Sequence, residues 1–344
     1  MPKRSRRKPE VSVESISPVV WFTIMLAWIL FIMILITAAG CAEPMESVSE
    51  ITKLRMMAIQ ADPPEIRPGE GTTLRALYAD PEGKGREISF LWLTCPSALT
   101  PSSEITADVC NPPLGLGMGT SGNGGDVHTV PPVAEDILDD LKEDEQYKTA
   151  TTIVSMCAGG ELPDLSTFDE DSDITEILDN VCKGGEGVIA FKTFRISTAD
   201  DSNRNTNPEL TDVYFDGKHL TEIDDEADNS TSPGVIFECK TTSACLEGAE
   251  IEAEMTESSF QTYDKIEFDD IVTGDEAPYI SWFTTGGELG DTHSRTVAPP
   301  GPFKNTWSPP LDGGNFILWV VAHDLRGGTS WKKFAIGAET NLTH

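Results

Sequence analysis

Beyond residue 50 the apolar positions fall in short runs of period two, each closed by proline or glycine. Leu54, Met56 and Ala58 alternate with other residues before Asp62-Pro63-Pro64 and Arg67-Pro68-Gly69 break the chain. Leu74, Ala76 and Tyr78 alternate again, Asp80-Pro81-Glu82-Gly83 makes another turn, and Ile88, Phe90 and Trp92 supply a third run. Successive side chains of a strand point to opposite faces, so this pattern predicts antiparallel strands, each burying one face. The theme returns near the C-terminus. Ile280-Ser281-Trp282-Phe283 matches Ile88-Ser89-Phe90, Asn315 to Ala322 reads as an apolar strand, and Asp324-Leu325-Arg326-Gly327-Gly328 turns it into a strand over Ser330 to Ile336.

Two segments share a finer pattern. Phe191-Lys192-Thr193-Phe194-Arg195-Ile196 and Trp331-Lys332-Lys333-Phe334-Ala335-Ile336 each hold an aromatic, a lysine, a second aromatic three positions on and an isoleucine two further. They predict the last strands of two related β-sandwich domains, residues 51–197 and 209–339, with a polar, turn-rich linker at 198–208 and a short tail at 340–344. Residues 95–187 read as an insertion in the first domain. Gly117-Met118-Gly119-Thr120-Ser121-Gly122 spells G-x-G-x-x-G but lacks the leading strand and following helix of a dinucleotide site, so it reads as a flexible loop. The stripe Val133, Ile137, Leu138 and Leu141 behind Pro131-Pro132 predicts a helix over 131–141, and Ile174, Ile177, Leu178 and Val181 predict a second short one.

The N-terminus changes the picture from fold to address. Lys3, Arg4, Arg6, Arg7 and Lys8 precede an uncharged apolar run from Val19 to Ala39, which ends in Thr37-Ala38-Ala39-Gly40-Cys41. A basic start, an apolar stretch and small residues before a cysteine resemble the signal and lipobox of bacterial lipoproteins. That resemblance implies removal of residues 1–40, acylation of Cys41 and a tether over 41–50. Ala42 after the cysteine favours the outer membrane by the lipoprotein sorting rule. The alternative is an uncleaved signal-anchor helix, since a run of this length can span a bilayer with its basic end in the cytoplasm. Both readings place the rest of the chain outside the cytoplasm.

Six cysteines remain: Cys95, Cys110, Cys157, Cys182, Cys239 and Cys245. An even number in an oxidising compartment predicts disulfides, and six allow 15 pairings. Nearest-neighbour pairing, 95 with 110, 157 with 182 and 239 with 245, keeps each bridge within one loop-rich stretch. The formal net charge of −32 disfavours nucleic acid and anionic lipid head groups as partners. Asp169, Asp171 and Asp173 are calcium candidates in that they gather carboxylates, but they lack the glycine and distal glutamate of an EF-hand loop. An acidic turn ahead of a helix is the simpler reading. No other metal site and no cofactor is expected.

No G-x-S-x-G, H-E-x-x-H or Walker sequence occurs. Trp307 is a binding candidate, placed in a loop where it either staples the end of the sandwich, the simpler reading, or stacks on a sugar or an aromatic peptide, whereas Trp92, Trp282, Trp319 and Trp331 read as core or inter-sheet residues. Residues 51–197 and 209–339 together resemble the immunoglobulin-like or PKD-like modules of secreted bacterial lipoproteins. The expectation is a mainly β, non-catalytic, membrane-anchored envelope lipoprotein that binds or scaffolds, with the stapled insertion presented to a protein or glycan partner. The alternatives are an envelope carbohydrate-active hydrolase carrying accessory modules, and a structural spacer.

Overall fold

A computed structural model describes residues 48–83, 85–96, 114–120, 125–139, 141, 145–163, 181–224, 231–267, 270–296 and 300–340. The apolar N-terminal run with Cys41, the acidic cluster Asp169, Asp171 and Asp173, Cys110, and residues 174–180 of the second helix lie outside the described residues.

The first half contains β1 (Arg55–Asp62), β2 (Glu65–Ile66), β3 (Thr72–Ala79), β4 (Ile88–Cys95), β5 (Gly115–Thr120), β6 (Val127–Val130), β7 (Tyr147–Ala158) and β8 (Glu186–Ser197). They form two sheets, β1-β3-β6 and β2-β8-β7-β4-β5, antiparallel except for the β2–β8 pair. Ile59, Leu74, Phe90, Trp92, Val154 and Phe194 close one core between them.

The second half contains β9 (Leu210–Phe215), β10 (Lys218–His219), β11 (Val235–Cys239), a short helix α1 (Thr242–Glu247), β12 (Ala249–Met255), β13 (Thr262–Glu267), β14 (Asp270–Asp275), β15 (Tyr279–Thr284), β16 (Glu288–Leu289), β17 (His293–Arg295), β18 (Phe303–Ser308), β19 (Gly314–His323) and β20 (Thr329–Thr340). One sheet runs β10-β9-β12-β18-β16 and the other β11-β20-β19-β15-β17, while β13 and β14 pair as a separate hairpin. Their core holds Phe215, Ile251, Trp282, Phe303, Trp307 and Phe334.

The two halves repeat one strand order. In each, a short strand lies parallel to a 12-residue last strand (β2 on β8, β11 on β20), followed by two antiparallel strands and a short edge strand. This is the order of an immunoglobulin-like sandwich, including a buried tryptophan on the central strand. Trp92 on β4 donates from Nε1 to Gly125 O at 2.8 Å, and Trp282 on β15 donates to Ser294 Oγ at 2.8 Å. A bulky indole is tolerated between sheets because its one N–H finds an acceptor.

A third core lies between the halves. Ala58 and Leu77 from the outer face of β1–β3 meet Ile317, Trp319 and Val321 of β19 and Ala335 of β20, with Trp331 and Phe283 packed alongside. Residues 48–344 accordingly form one compact unit.

Residues 95–187 depart from the expected add-on. Their described parts supply β5, β6 and β7 to the sandwich itself, and β7 is a central strand paired to both β4 and β8. Thr149, Thr151, Thr152, Ile153 and Val154 give it the β-branched density of a strand buried on both faces. The described part of the glycine-rich segment, 115–120, is likewise a strand and not a loop, since β5 pairs with β4 from Ser89–Thr120 to Thr94–Gly115. Glycine is required there by close approach: a Cβ on Gly117 would stand 2.4 Å from His128 Nδ1. The helix expected over 131–141 is a string of turns, with Ile137 N–H bonded to Ala134 O and Asp139 N–H to Asp136 O. Val133 cannot enter a helix because its N–H donates to Glu70 O and its carbonyl accepts from Gly69. Its apolar stripe still faces the core, where Ile137 and Leu138 pack.

Cys157–Cys182 and Cys239–Cys245 are disulfides, and Cys95 is also disulfide-bonded. The first ties the end of β7 to the entry of β8. The second holds α1 against β11, with the helix capped by Thr241 Oγ1 accepting from Ala244 N–H.

Candidate functional site

The turn between β19 and β20 carries the chemistry of the junction. Asp324 Oδ1 accepts the N–H groups of Arg326 at 2.7 Å and Gly328 at 2.8 Å, so the turn closes on its own first side chain. That geometry projects Arg326 towards the first half. Its side chain is 4% exposed, with Nη1 3.0 Å from Glu276 Oε1 and Nη2 3.2 Å from Glu65 Oε2. Nη2 also donates to Asn203 O, and the guanidinium stands 4.6 Å above the Tyr263 ring.

Glu65 belongs to β2, the parallel edge strand of the first half, and its side chain is 5% exposed. It accepts Ser197 Oγ–H at 2.5 Å and Asn205 N–H at 2.9 Å besides Arg326. From β8, Lys192 Nζ donates to Gly327 O at 2.5 Å and Thr329 Oγ1 at 3.0 Å. The segment 198–208 is built into this junction. Asn207 donates to Ala61 O from Nδ2 and accepts Thr329 N–H on Oδ1, bridging the halves with one amide.

Burial sets the electrostatics. It pushes the Glu276 carboxyl up to about 7, helped by the charge of Asp324 and opposed by Arg326. It pushes Lys192 down to about 8, with Asp324 pulling the other way. His323, at the end of β19 and stacked 4.7 Å from the Tyr279 ring, is driven down to about 4 by burial, then by Lys192 and His293. Asp324 Oδ2, Arg326 Nε and both amide atoms of Asn205 are buried without a hydrogen-bond partner.

Beside this network lies a cavity of about 350 Å³. Glu65, Arg195 and Ser197 wall it from the first half, Tyr147 and Glu145 from the approach to β7, and Tyr263 and Arg326 from the second half. Glu276 is not among its lining residues.

No family model matches the chain, and no curated protein does. Among solved structures the D0-D1 domain of Intimin is 10% identical over 83% of this chain and 96% of its own, with a TM-score of 0.19. Dimeric latent PorU from Porphyromonas gingivalis is 10% identical over 85% of this chain and 24% of its own, with a TM-score of 0.22. At such low overlap these likenesses carry no argument, and the fold rests on the strand order above.

Of the residues singled out in the sequence, Trp307 lies in strand β18 and not in a loop. It is fully buried, donates from Nε1 to Gly286 O at 2.9 Å, and packs against Phe215 and Phe316. An indole so enclosed presents no face to a sugar, which removes it as a binding candidate. Among the described residues no group of three or more His, Cys, Asp or Glu side chains is placed to hold a metal ion. No helix of the described residues is long and apolar enough to cross a membrane. The junction residues Glu65, Glu276 and Arg326 carry no local motif. Only Lys192, a lysine inside an otherwise strand-like repeat, stands out in the sequence.

Proposed function

We propose that this chain is a non-catalytic lipoprotein of the bacterial envelope, with two immunoglobulin-like domains joined into one stiff arm that scaffolds a partner. The N-terminal order of basic residues, apolar run and Ala38-Ala39-Gly40-Cys41 supports a lipid anchor on Cys41, and Ala42 supports the outer membrane. Two acyl chains or more make such anchoring stable, whereas one is marginal.

The observation that carries the scaffold reading is the junction. Domains joined by a linker move relative to one another unless their interface is large and hydrophobic. Here a third apolar core, a buried Arg326–Glu65–Glu276 network and the Asn207 bridge all cross between the halves. Such a junction turns two modules into a lever of fixed shape, which suits a scaffold or spacer.

Calorimetry of the full chain in detergent tests this. Coupled halves melt in one transition whose calorimetric and van't Hoff enthalpies agree. Two separable transitions would overturn the reading. The anchor is tested separately by mass spectrometry of the N-terminus from membranes, which should find acylated Cys41; intact Met1 would favour the uncleaved signal anchor.

A further inference from the structure

We infer that one pole of the second half is a lipid-facing surface, whose exposed leucines rest in the zwitterionic bilayer that holds this chain's own N-terminus. The inference deepens the proposed function and rests on its membrane anchor, in the acylated or the uncleaved form.

Register gathers the pole. Thr284 ends β15, Glu288 of β16 pairs with Ser308 of β18, and Ala249 of β12 pairs with Trp307. The β15–β16 turn, the β18–β19 turn and the end of α1 therefore lie together. The chain's entry joins them: Glu50 bridges Thr284 in parallel, Ile51 N–H donates to Thr284 O at 2.7 Å, and Ser49 O accepts Thr284 N–H at 2.8 Å. Ile51 is fully buried in the third core and Arg55 Nη1 donates to Val48 O at 2.6 Å, so the entry is fixed to the body. Val48 follows Cys41 by seven residues. A chain reaches at most about 3.5 Å per residue, so no more than about 25 Å can separate this entry from the anchor.

Apolar side chains stand out where the tether arrives. Leu246 is 69% exposed and Leu311 50%, with Val48 exposed at the entry itself. Scattered singly, such residues need no explanation. Here the leucines sit on braced supports. Ser308 Oγ–H donates to the Leu246 carbonyl at 3.1 Å, and Cys239–Cys245 pins α1. Pro309 and Pro310 precede Leu311, and Gly313 N–H closes that turn on Pro310 O at 3.0 Å. Proline fixes its own φ, so the turn presents Leu311 with little entropy left to lose on burial. Exposed Glu247, Glu288 and Asp312 stand beside them. Those carboxylates repel anionic head groups, which leaves phosphatidylcholine and phosphatidylethanolamine as the lipids that fit. Apolar tips with a polar rim sit at the boundary between head groups and acyl chains, as interfacial segments do.

Photolabelling of the full chain in vesicles of phosphatidylethanolamine and phosphatidylcholine, with a diazirine on the acyl chain, tests the inference. Peptides holding Leu246 and Leu311 should carry the lipid label. Met118 on β5 and Leu325 in the β19–β20 turn are as exposed but lie away from this pole, and should not. Leu246→Ser combined with Leu311→Ser should cut labelling of the pole about tenfold or more, since burying even one leucine in an apolar medium is worth about that factor. Both side chains are exposed, so the melting temperature and flotation with the vesicles should stay unchanged. The inference alone falls if the floated chain is unlabelled at the pole, is labelled as strongly at Met118 and Leu325, or keeps its label in the serine variant. Failure to float would overturn the anchor together with it.

Discussion

Arg326→Met is the substitution that strikes the junction hardest. Methionine keeps much of the aliphatic length but removes the cation from Glu65 and Glu276, the donor to Asn203 O and the stack on Tyr263. Removing one partner of a buried ion pair costs about 3 to 5 kcal/mol, because a desolvated charge is left unmatched. At pH 8 we expect about 4 kcal/mol. The cost should shrink on acidification. Glu276 already has its folded pKa raised to about 7 from the ordinary 4.5, so between those values the folded state holds a proton that the unfolded state has lost. Its contribution is therefore destabilising above about pH 7, is relieved as the pH falls and is absent below 4.5. A shift of this size corresponds to about 3 kcal/mol at most.

Without Arg326 the downward pull on Glu276 disappears, so the variant's penalty at pH 8 and its relief at pH 5 both grow. The difference between wild type and variant should fall by about 1 to 2 kcal/mol from pH 8 to pH 5 in denaturant titrations. The opposing titration of His323 is common to both proteins and cancels in that difference. Adding Glu276→Gln to Arg326→Met should recover part of the loss at pH 8. A cost under about 1 kcal/mol at pH 8, or one equal at both pH values, would refute the buried network as described.

The third core makes its own prediction. Trp319→Ala should cost about 3 to 5 kcal/mol and should split or broaden the single melting transition, since Trp319 fills the space between the halves. The disulfides should differ in weight: by the chain-entropy relation, opening Cys157–Cys182, with a sequence separation of 25, costs about 3.5 kcal/mol, and opening Cys239–Cys245, with a separation of 6, about 2. Paired Cys→Ser variants, compared by urea midpoint, check that order. His323 stays neutral when folded down to about pH 4, so the unfolded chain takes up a proton between about pH 6.5 and 4 that the folded chain refuses. Stability is lost as pH falls through that window, and His323→Gln should remove up to about 3 kcal/mol of that loss.

Much of the sandwich was legible because period-two runs and Pro/Gly turns are local signals. The apolar run 315–322 is β19, and the shared Phe191 and Trp331 patterns fall on β8 and β20, which occupy equivalent places in their sheets. Strand β12 was legible but unread, with Ala249, Ile251, Ala253 and Met255 alternating against glutamates. Strand β5 was hidden because glycines offer no side-chain pattern, and the turns at 131–141 imitate a helix because their apolar residues also recur every three to four positions. The junction was not legible at all. Arg326 and Glu65 are 261 residues apart, and nothing near either marks it as paired. Trp307 misled for a related reason, because the prolines after it suggest a loop while its partners Phe215 and Phe316 belong to other strands.

Halves that move as one body keep a single separation, which a distance distribution between them reads. Nitroxide labels on cysteines replacing exposed Glu82 in the first half and exposed Asp312 in the second, in a Cys41→Ser background, report that distribution by pulsed electron resonance. A rigid junction gives one narrow peak for the wild-type protein and a broadened one for Arg326→Met. A broad or multiple distribution in the protein with its junction intact would contradict it.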